Sequence, residues 1–320
     1  MQTREIRLAR RPVGEPVDED FELATRELSP GEGHVLVRNR YMSVDPYMRG
    51  RMSDRKSYVA PFELGKALQG GAVGELEDGS LVLHQRGWRE HALVRDDEVQ
   101  RVSVPEGVPE SALLGALGMP GMTAWTGLTE IAPIQEGETV FISAATGAVG
   151  SVAGQLAKAR GCRVIGSAGG PEKVAYAREE LGYDVVFDHR ADDPREALAG
   201  GIDVYFDNVG GPQLEAAIYA MRRGGRIAVC GAVSQYNATE LPPGPRNLFL
   251  LVGKRITMRG FIVGDHYGRF GEFHEEVGGL IASGRLRLAE TVVEGGLEAA
   301  PGAFIDMLRG RYLGKVVVKL

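Results

Sequence analysis

A glycine turn between an apolar strand and a helix, within residues 140–173, constrains this chain more than any other feature. Residues 140–142 form an apolar run too short for a helix, and Ala145, Gly147 and Gly150 follow at the spacing of a Gly-x-Gly-x-x-Gly fingerprint, with alanine in the first place. Such a turn brings free amide groups and the positive end of a helix against a pyrophosphate. The pattern therefore predicts a dinucleotide site.

Four residues form the predicted phosphate cradle. Gly147 lets the backbone come close to the pyrophosphate, and Gly150 allows the helix to pack closely on the strand. Ala148 and Val149 lie between them, and the helix is expected to begin near Val149. Similar turns also join strands to helices in proteins that bind no nucleotide, so this turn needs support from the rest of the chain.

Strand-like and helix-like segments alternate after the turn. A helix led by Pro171 separates the first two of the strands that follow. The predicted strands are residues 162–167, 184–187, 202–206, 225–231 and 255–263. This alternation predicts an α/β fold with a doubly wound parallel sheet covered on both faces, which supports the dinucleotide site.

The first 115 residues have a different pattern. Short alternating segments, such as 34–44 and 86–94, are broken by glycine and proline, which predicts an antiparallel, barrel-like domain. The small-residue segment 111–127 is expected to form a pair of helices at a hinge, and the last strand, in 314–320, to return to the N-terminal domain. We expect the first part of a substrate domain at 1–118, a cofactor domain at 119–270 and a closing segment at 271–320.

Composition argues against several classes of protein. A hydrophobic share of 43% and a charged share of 25% are those of a globular protein, and 320 residues suffice for two domains. No apolar stretch approaches the ~20 residues that span a membrane, and the N-terminus lacks a secretory signal. A net charge of −6 without a basic stripe argues against nucleic acid. We expect a cytoplasmic protein with neither membrane nor nucleic acid as a partner.

The cysteine and histidine patterns predict no metal site. Only Cys162 and Cys230 are present, and both are predicted to lie inside strands of the parallel sheet. Two thiols cannot supply a disulfide framework or a four-thiolate metal site. None of the six histidines forms a close ligand pair on one helix face.

Polar side chains follow two neighbouring strands of the predicted sheet. Ligands of open α/β sheets bind beyond the carboxyl ends of the strands. Asn208 follows the predicted strand 202–206 and offers a donor and an acceptor to a ribose or a nicotinamide. Ser234 and Tyr236 follow the predicted strand 225–231. Asn208 could instead form a turn, and Tyr236 could equally be a packing residue.

The residues at the end of the predicted strand 162–167 favour NADPH over NADH. NAD sites place an acidic residue there to hold the ribose 2′-hydroxyl, whereas residues 167–170 read Ser-Ala-Gly-Gly. Glu172 is better explained as a first-turn acid that complements the helix dipole. Lys173 is placed to meet a 2′-phosphate, although it could instead be a solvated lysine on a helix.

Six segments together carry a resemblance to a known family. They are residues 41–54, 117–128, 144–151, 206–211, 234–245 and 313–318, and the strings DPYMRGRM and YNATELPPGP are the most specific. The chain resembles the zinc-independent medium-chain reductases, within them the group of prostaglandin reductases, alkenal reductases and bacterial curcumin reductases. The likeness covers nearly the full length. It implies a Rossmann domain, a GroES-like barrel and NADPH-dependent reduction of a carbon–carbon double bond conjugated to a ketone or aldehyde. We expect a homodimer.

The resemblance also implies the cofactor contacts. Residues 147–150 would hold the pyrophosphate, Lys173 the 2′-phosphate and Asn208 the ribose. The nicotinamide end would meet Cys230, Ser234 and Tyr236 and the backbone of Phe261, Ile262 and Val263.

Three departures from the family pattern bear on the site. His189 stands where some relatives have a tyrosine near the adenosine phosphate, which leaves a phosphate partner in place. Tyr312 stands where many have an asparagine in a Gly-x-Asn-x-Gly-Lys turn, which puts that cofactor contact in doubt. The segment 62–90 looks shorter than in relatives, so the substrate mouth is expected to differ.

Two tyrosines are the candidate catalytic residues. Hydride delivery to the β-carbon of an enone leaves an enolate whose charge must be stabilised. The resemblance places Tyr58 at the border of the substrate, and we expect it to donate to the enolate with Tyr236 as support. A quinone reductase of the same superfamily, or a cofactor-binding protein without turnover, stays open as an alternative. A zinc alcohol dehydrogenase is disfavoured because neither cysteine lies in the N-terminal domain.

Overall fold

The computed structural model describes all 320 residues. Its N-terminal part is mostly strand, as the alternating segments predict. The elements are β1 (Gln2–Leu8), β2 (Phe21–Glu27), β3 (His34–Ser43), α1 (Tyr47–Arg51), β4 (Ala72–Glu75), β5 (Leu81–His84), β6 (His91–Arg95) and β7 (Gln100–Arg101). The middle of the chain alternates strand and helix: α2 (Met119–Thr126), β8 (Thr139–Ile142), α3 (Gly150–Ala159), β9 (Arg163–Ala168), α4 (Pro171–Glu179), β10 (Val185–Asp188), α5 (Pro194–Ala197), β11 (Ile202–Asp207), α6 (Gly211–Ala220), β12 (Met221–Val229), α7 (Leu250–Lys254), β13 (Thr257–Gly260) and α8 (Phe270–Ala282). The chain closes with β14 (Glu290–Val293), α9 (Ala300–Leu308) and β15 (Lys315–Lys319).

Six parallel strands form the sheet of the cofactor domain. Their order is β10-β9-β8-β11-β12-β13, so the chain moves outward from β8 in one direction and then restarts on its other side. The change of direction between β8 and β11 is the switch point at which α/β sheets bind ligands. This confirms the predicted α/β fold and places the glycine turn after β8 at the switch point.

A seven-stranded sheet and a separate hairpin form the substrate domain. The path of the sheet is β14-β15-β3-β4-β5-β7 with β6 also paired to β3, and β1 and β2 form the hairpin. The final strand β15 pairs antiparallel with β3, with Val317 opposite Ser43, so the C-terminus returns to the N-terminal domain as predicted. β14 is parallel to β15, so this sheet is mixed rather than purely antiparallel.

A buried ion pair holds the returning strand in place. The Lys315 ammonium donates to Asp45 Oδ1 at 2.5 Å, to Ser43 Oγ at 2.6 Å and to the Val44 carbonyl at 3.0 Å. Both charged side chains are almost fully buried. All three ammonium protons are satisfied, which a lysine this far from water requires. Because Lys315 begins β15, the pair also fixes the turn that precedes this strand.

Two predicted segments, the sixth strand and the helix pair in 111–127, differ from the structure. The predicted sixth strand, 255–263, is limited to β13 because Arg255 adopts a left-handed conformation, with φ 55°, and the chain after Ile262 winds into a 3-10 helix. The expected helix pair in 111–127 is a 3-10 turn at Glu110–Leu114 followed by α2. Gly118 lies between them, where a Cβ would come within 2.1 Å of the Leu113 carbonyl oxygen.

The prediction that both cysteines lie inside strands was wrong. Cys162 comes just before β9, and Cys230 comes just after β12. The amides of Cys230 and Gly231 both donate to the Asp207 carbonyl, which turns the chain away from the sheet. Cys230 therefore lies at the edge of the sheet that holds the glycine turn rather than in its interior.

The domain boundaries stay a prediction. Helix α8, just beyond the expected boundary at 270, buries Phe273 and Val277 in the same apolar cluster as residues of α2 and α3. No helix is both long enough and apolar enough to cross a bilayer.

Candidate active site

The glycine turn has the shape of a phosphate cradle. Ala144 starts it in a left-handed conformation, with φ 52°. A Cβ at Gly150 would lie 2.2 Å from the Ala144 carbonyl oxygen, and one at Gly147 would lie 3.2 Å from it. The amides of Val149 and Gly150, where α3 begins, have no hydrogen-bond acceptor within the protein. Free amides at the start of α3 and a backbone without side chains fit the pyrophosphate of a dinucleotide.

Three basic side chains gather at the tip of β9. A Cβ at Gly169 would lie 3.0 Å from both His189 Nε2 and Arg190 Nε. Burial and then the charge of Arg190 lower the pKa of Lys173, so these two cations are close to one another. Burial and then Arg190 lower the pKa of His189 as well. A dianionic 2′-phosphate would relieve this repulsion, so the cluster fits NADPH.

Arg190 is a site residue that sequence reasoning missed. It follows β10, the strand beside β9. Its position next to His189 in the sequence is the signal that could have indicated it. Its amide and that of Gly170 both donate at 3.0 Å to the Asp188 carboxylate. Asp188 therefore shapes the two loops around the cluster.

The C-terminal turn 310–314 joins the basic cluster to the substrate domain. The Lys173 ammonium donates to the Gly310 carbonyl at 2.7 Å and to the Tyr312 carbonyl at 2.5 Å. Two of its three protons are thereby used, and one is left for a phosphate oxygen. The phenol of Tyr312 packs against the apolar core of the substrate domain, so its carbonyl rather than its side chain faces Lys173.

Asn208 lies at the switch point of the sheet. Its side-chain amide donates to the Ser143 carbonyl at 2.8 Å, and its backbone amide donates to Ser143 Oγ at 2.9 Å. These bonds tie the end of β11 to the end of β8. The side-chain oxygen of Asn208 makes no bond within the protein, which leaves an acceptor for a ribose hydroxyl.

Asp207 stabilises this edge of the site, and sequence reasoning missed it, because its only signal was its place before Asn208. It is 1% exposed and accepts from the Tyr205 hydroxyl and the Gly210 amide, both at 2.7 Å. Burial raises the pKa of its carboxyl group despite these bonds. Its role in the structure is to hold the loops after β11 and β12 together.

The structure brings Tyr58, Tyr236 and Cys230 together from the two domains. Burial and then the neighbouring thiol of Cys230 raise the pKa of Tyr58, although its side chain is 65% exposed. Burial raises the pKa of Tyr236, with Cys230 and Tyr58 among its neighbours. Burial raises the pKa of Cys230 to about 12, so the thiol stays protonated at neutral pH. The two predicted catalytic tyrosines thus lie near enough to Cys230, which follows β12, for the charges of these groups to interact.

The other residues predicted at the nicotinamide end lie at the same edge. The Ser234 hydroxyl donates to the Val209 carbonyl at 2.6 Å and therefore shapes the loop. A Cβ at Gly231 would lie 3.2 Å from the Tyr236 hydroxyl, so this glycine makes room for the phenol. Phe261, Ile262 and Val263 follow β13 directly, and Phe261 packs edge-on against Phe206 with ring centroids 6.4 Å apart.

A second pair of residues, Tyr47 and Arg51 on α1, also lies at Tyr58 and was not predicted. Burial and then the charge of Asp45 raise the pKa of Tyr47, whereas Arg51 opposes the shift. Both residues lie in the segment 41–54, whose sequence pattern indicates the family but not a role for either side chain. No group of three or more His, Cys, Asp or Glu side chains is placed to hold a metal ion.

Comparison with known proteins identifies the family. Residues 4–102 match the model of an N-terminal domain of oxidoreductases, and residues 148–281 match that of the zinc-binding dehydrogenases. The NADPH-dependent curcumin reductase of Escherichia coli is 45% identical, over 98% of this chain and 95% of its own. This chain belongs to the zinc-independent medium-chain reductases. The 2-alkenal reductase of Nicotiana tabacum, which is NADP(+)-dependent, is 40% identical, over 99% of this chain and 97% of its own.

A solved structure has the same fold over the full length. The crystal structure of CurA in complex with NADPH from Vibrio vulnificus superposes with a TM-score of 0.94 at 44% identity. The match covers 99% of this chain and 98% of that one. The predicted combination of a Rossmann domain with a GroES-like domain is confirmed.

We predict that Lys173→Ala will weaken use of NADPH but not of NADH. The lost charge-assisted bond to the 2′-phosphate is worth roughly 1.5–3 kcal/mol, so the KM for NADPH should rise about tenfold or more. Steady-state kinetics with both cofactors measure this. The matched control is Arg178→Ala, an exposed cation on the same helix, which should leave both constants unchanged. Equal losses with NADPH and NADH would show that Lys173 only holds the turn 310–314.

Proposed function

We propose that this protein reduces carbon–carbon double bonds conjugated to a ketone or aldehyde, with NADPH as the reductant. The observation that carries the proposal is one continuous edge of the parallel sheet. The phosphate cradle and the basic cluster lie at one end, and a protonated thiol and two phenols lie at the other. The names of the relatives, reductases of curcumin and of 2-alkenals, describe substrates of this kind.

The residues divide into those that hold the cofactor and those that serve the substrate. The amides of Val149 and Gly150 would hold the pyrophosphate, and Lys173 and Arg190 the 2′-phosphate. Asn208 would accept from the ribose. When bound, the reduced nicotinamide supplies the hydride for the β-carbon of the substrate.

We assign to the phenols the stabilisation of the negative charge that develops on the substrate oxygen. Once the β-carbon has gained a hydride, negative charge collects on the former carbonyl oxygen, and a hydrogen-bond donor must face it. Tyr58 and Tyr236 are protonated donors at neutral pH because the ordinary pKa of a phenol is about 10, and burial raises the pKa of both further. A proton then reaches the α-carbon from a hydroxyl that exchanges with water, and we assign Tyr58 to this donation with Tyr236 as support.

We also propose that the protein acts in the cytoplasm as a homodimer. Strand β13 forms an edge of the parallel sheet, and all four of its residues are exposed. Phe249 and Val252, on the segment before it, are also exposed. Unpaired edges beside apolar side chains invite pairing with a second copy. Both cysteines are free thiols, which suits a reducing compartment.

A substrate panel tests the proposed reaction. Oxidation of NADPH, followed by its absorbance, should be rapid with enones and enals, and the product should be the saturated ketone or aldehyde. A chelator should leave the rate unchanged. Rapid reduction of quinones with inert enones would favour a quinone reductase, and no oxidation with any acceptor would favour a binding protein without turnover.

Tyr58→Phe tests the assigned donor. Loss of a general acid typically costs about a hundredfold or more in rate, so kcat should fall strongly while the dissociation constant for NADPH stays unchanged. Tyr219→Phe, an exposed phenol on α6, is the matched control and should keep full activity. A fully active Tyr58→Phe variant would leave Tyr236 or water as the donor.

A further inference from the structure

Arg51 makes three contacts with the segment 57–62, which carries Tyr58, and a fourth with Gln69. Its Nε donates to the Ala60 carbonyl at 2.9 Å, and its Nη2 donates to Gln69 Oε1 at 2.9 Å. Its guanidinium carbon lies 4.0 Å from the centroid of the Phe62 ring. Its own carbonyl accepts from the Phe62 amide at 2.7 Å. One side chain therefore holds both the backbone and an aromatic ring of the segment 57–62.

The charge of Arg51 is not neutralised by a carboxylate. Arg51 forms no ion pair, and its hydrogen-bond acceptors are neutral oxygens. Asp54, the nearest acid along the sequence, forms no ion pair with Arg51, and Asp45 bonds to Lys315 instead. A cation without a counterion keeps its full field toward the groups beside it.

The phenols of Tyr47 and Tyr58 are the titratable groups that feel this charge. Burial raises the pKa of both phenols, the carboxylate of Asp45 adds to the shift, and Arg51 opposes it in each case. Burial in turn lowers the pKa of Arg51. The cation is thus placed where negative charge on a phenol oxygen, or on a substrate oxygen bonded to it, is favoured.

We propose that Arg51 is a positioning residue for the reduction, which clamps the segment 57–62 so that the Tyr58 hydroxyl meets the substrate oxygen and supports the charge that forms there. The inference rests on the proposed function. An arginine suits the task because its planar fork can bond a carbonyl and an amide while its face stacks on a ring. Lysine would keep the charge but lose the fork and the stack.

A double-mutant cycle on Arg51 and Tyr58 tests how the arginine acts. Arg51→Ala should lower kcat with an enone about tenfold or more and leave the dissociation constant for NADPH unchanged. Added to Tyr58→Phe, it should lower kcat little further, because both changes remove one shared interaction. Arg51→Lys should recover part of the rate. If the loss of kcat in the double variant equalled the product of the losses in the two single variants, the proposal would be overturned. Wild-type kcat in Arg51→Ala would overturn it as well.

The matched control is Arg55→Ala, which removes an exposed arginine of the same loop whose side chain has no partner in the structure. It should keep wild-type kcat. A loss in Arg55→Ala equal to that in Arg51→Ala would mean that any positive charge on this loop suffices, which also contradicts the clamp.

Limited proteolysis tests the clamp without relying on turnover. Cleavage after Lys56 by a lysine-specific protease, followed by mass spectrometry, should be several-fold faster in Arg51→Ala than in the wild type, because the segment opens more often. Arg55→Ala should match the wild type. Unchanged cleavage in Arg51→Ala would overturn the clamp. If the wild type reduced no enone, the proposed function would fail while the cleavage rates still decided whether Arg51 holds the loop.

Discussion

The site depends on the contact between the turn 310–314 and the glycine turn after β8. The Gly314 amide donates to the Thr146 carbonyl at 2.7 Å, and Gly314 pairs with Gly147 as an isolated bridge. Gly314 has φ 66°, and a Cβ there would lie 2.0 Å from the Ala289 carbonyl oxygen. This position therefore admits only glycine. Because the two turns meet, the phosphate cradle of one domain and the returning strand of the other hold each other in place.

The two ends of the site differ in their electrostatics, and each suits its part of the reaction. Lys173, His189 and Arg190 lie together and none of them forms an ion pair with a carboxylate, which favours binding of a phosphate dianion. At the other end, the phenols and the thiol are protonated at neutral pH, and their pKa values are raised further, so they can donate hydrogen bonds but carry no charge themselves. The protein thus concentrates positive charge where the cofactor is anionic and keeps neutral donors where negative charge appears only during the reaction.

The sequence was most informative where structure follows from local chemistry. The spacing of Gly147 and Gly150 predicted the turn, and at Gly150 only a residue without a side chain fits. The alternation of strands and helices predicted the parallel sheet. Cys230 was misplaced because its position is decided by a distant acceptor, the Asp207 carbonyl, which a strand pattern does not reveal.

The residues that were missed owe their roles to contacts across the fold. Arg190 and Lys173 are brought together only when β10 pairs with β9. Arg51 looks like any surface arginine in the sequence, and its role appears only once the segment 57–62 folds back onto α1. The roles of Tyr58 and Tyr236 stay predictions.

The fate of a labelled hydride tests the central claim most directly. With NADPH deuterated at the transferred position and an enone as substrate, mass and NMR analysis should find one deuterium on the β-carbon of the saturated ketone, and the α-proton should come from water. An allylic alcohol carrying deuterium on the former carbonyl carbon would contradict the account, because hydride would then have attacked the carbonyl and no enolate would have formed for the tyrosines to stabilise.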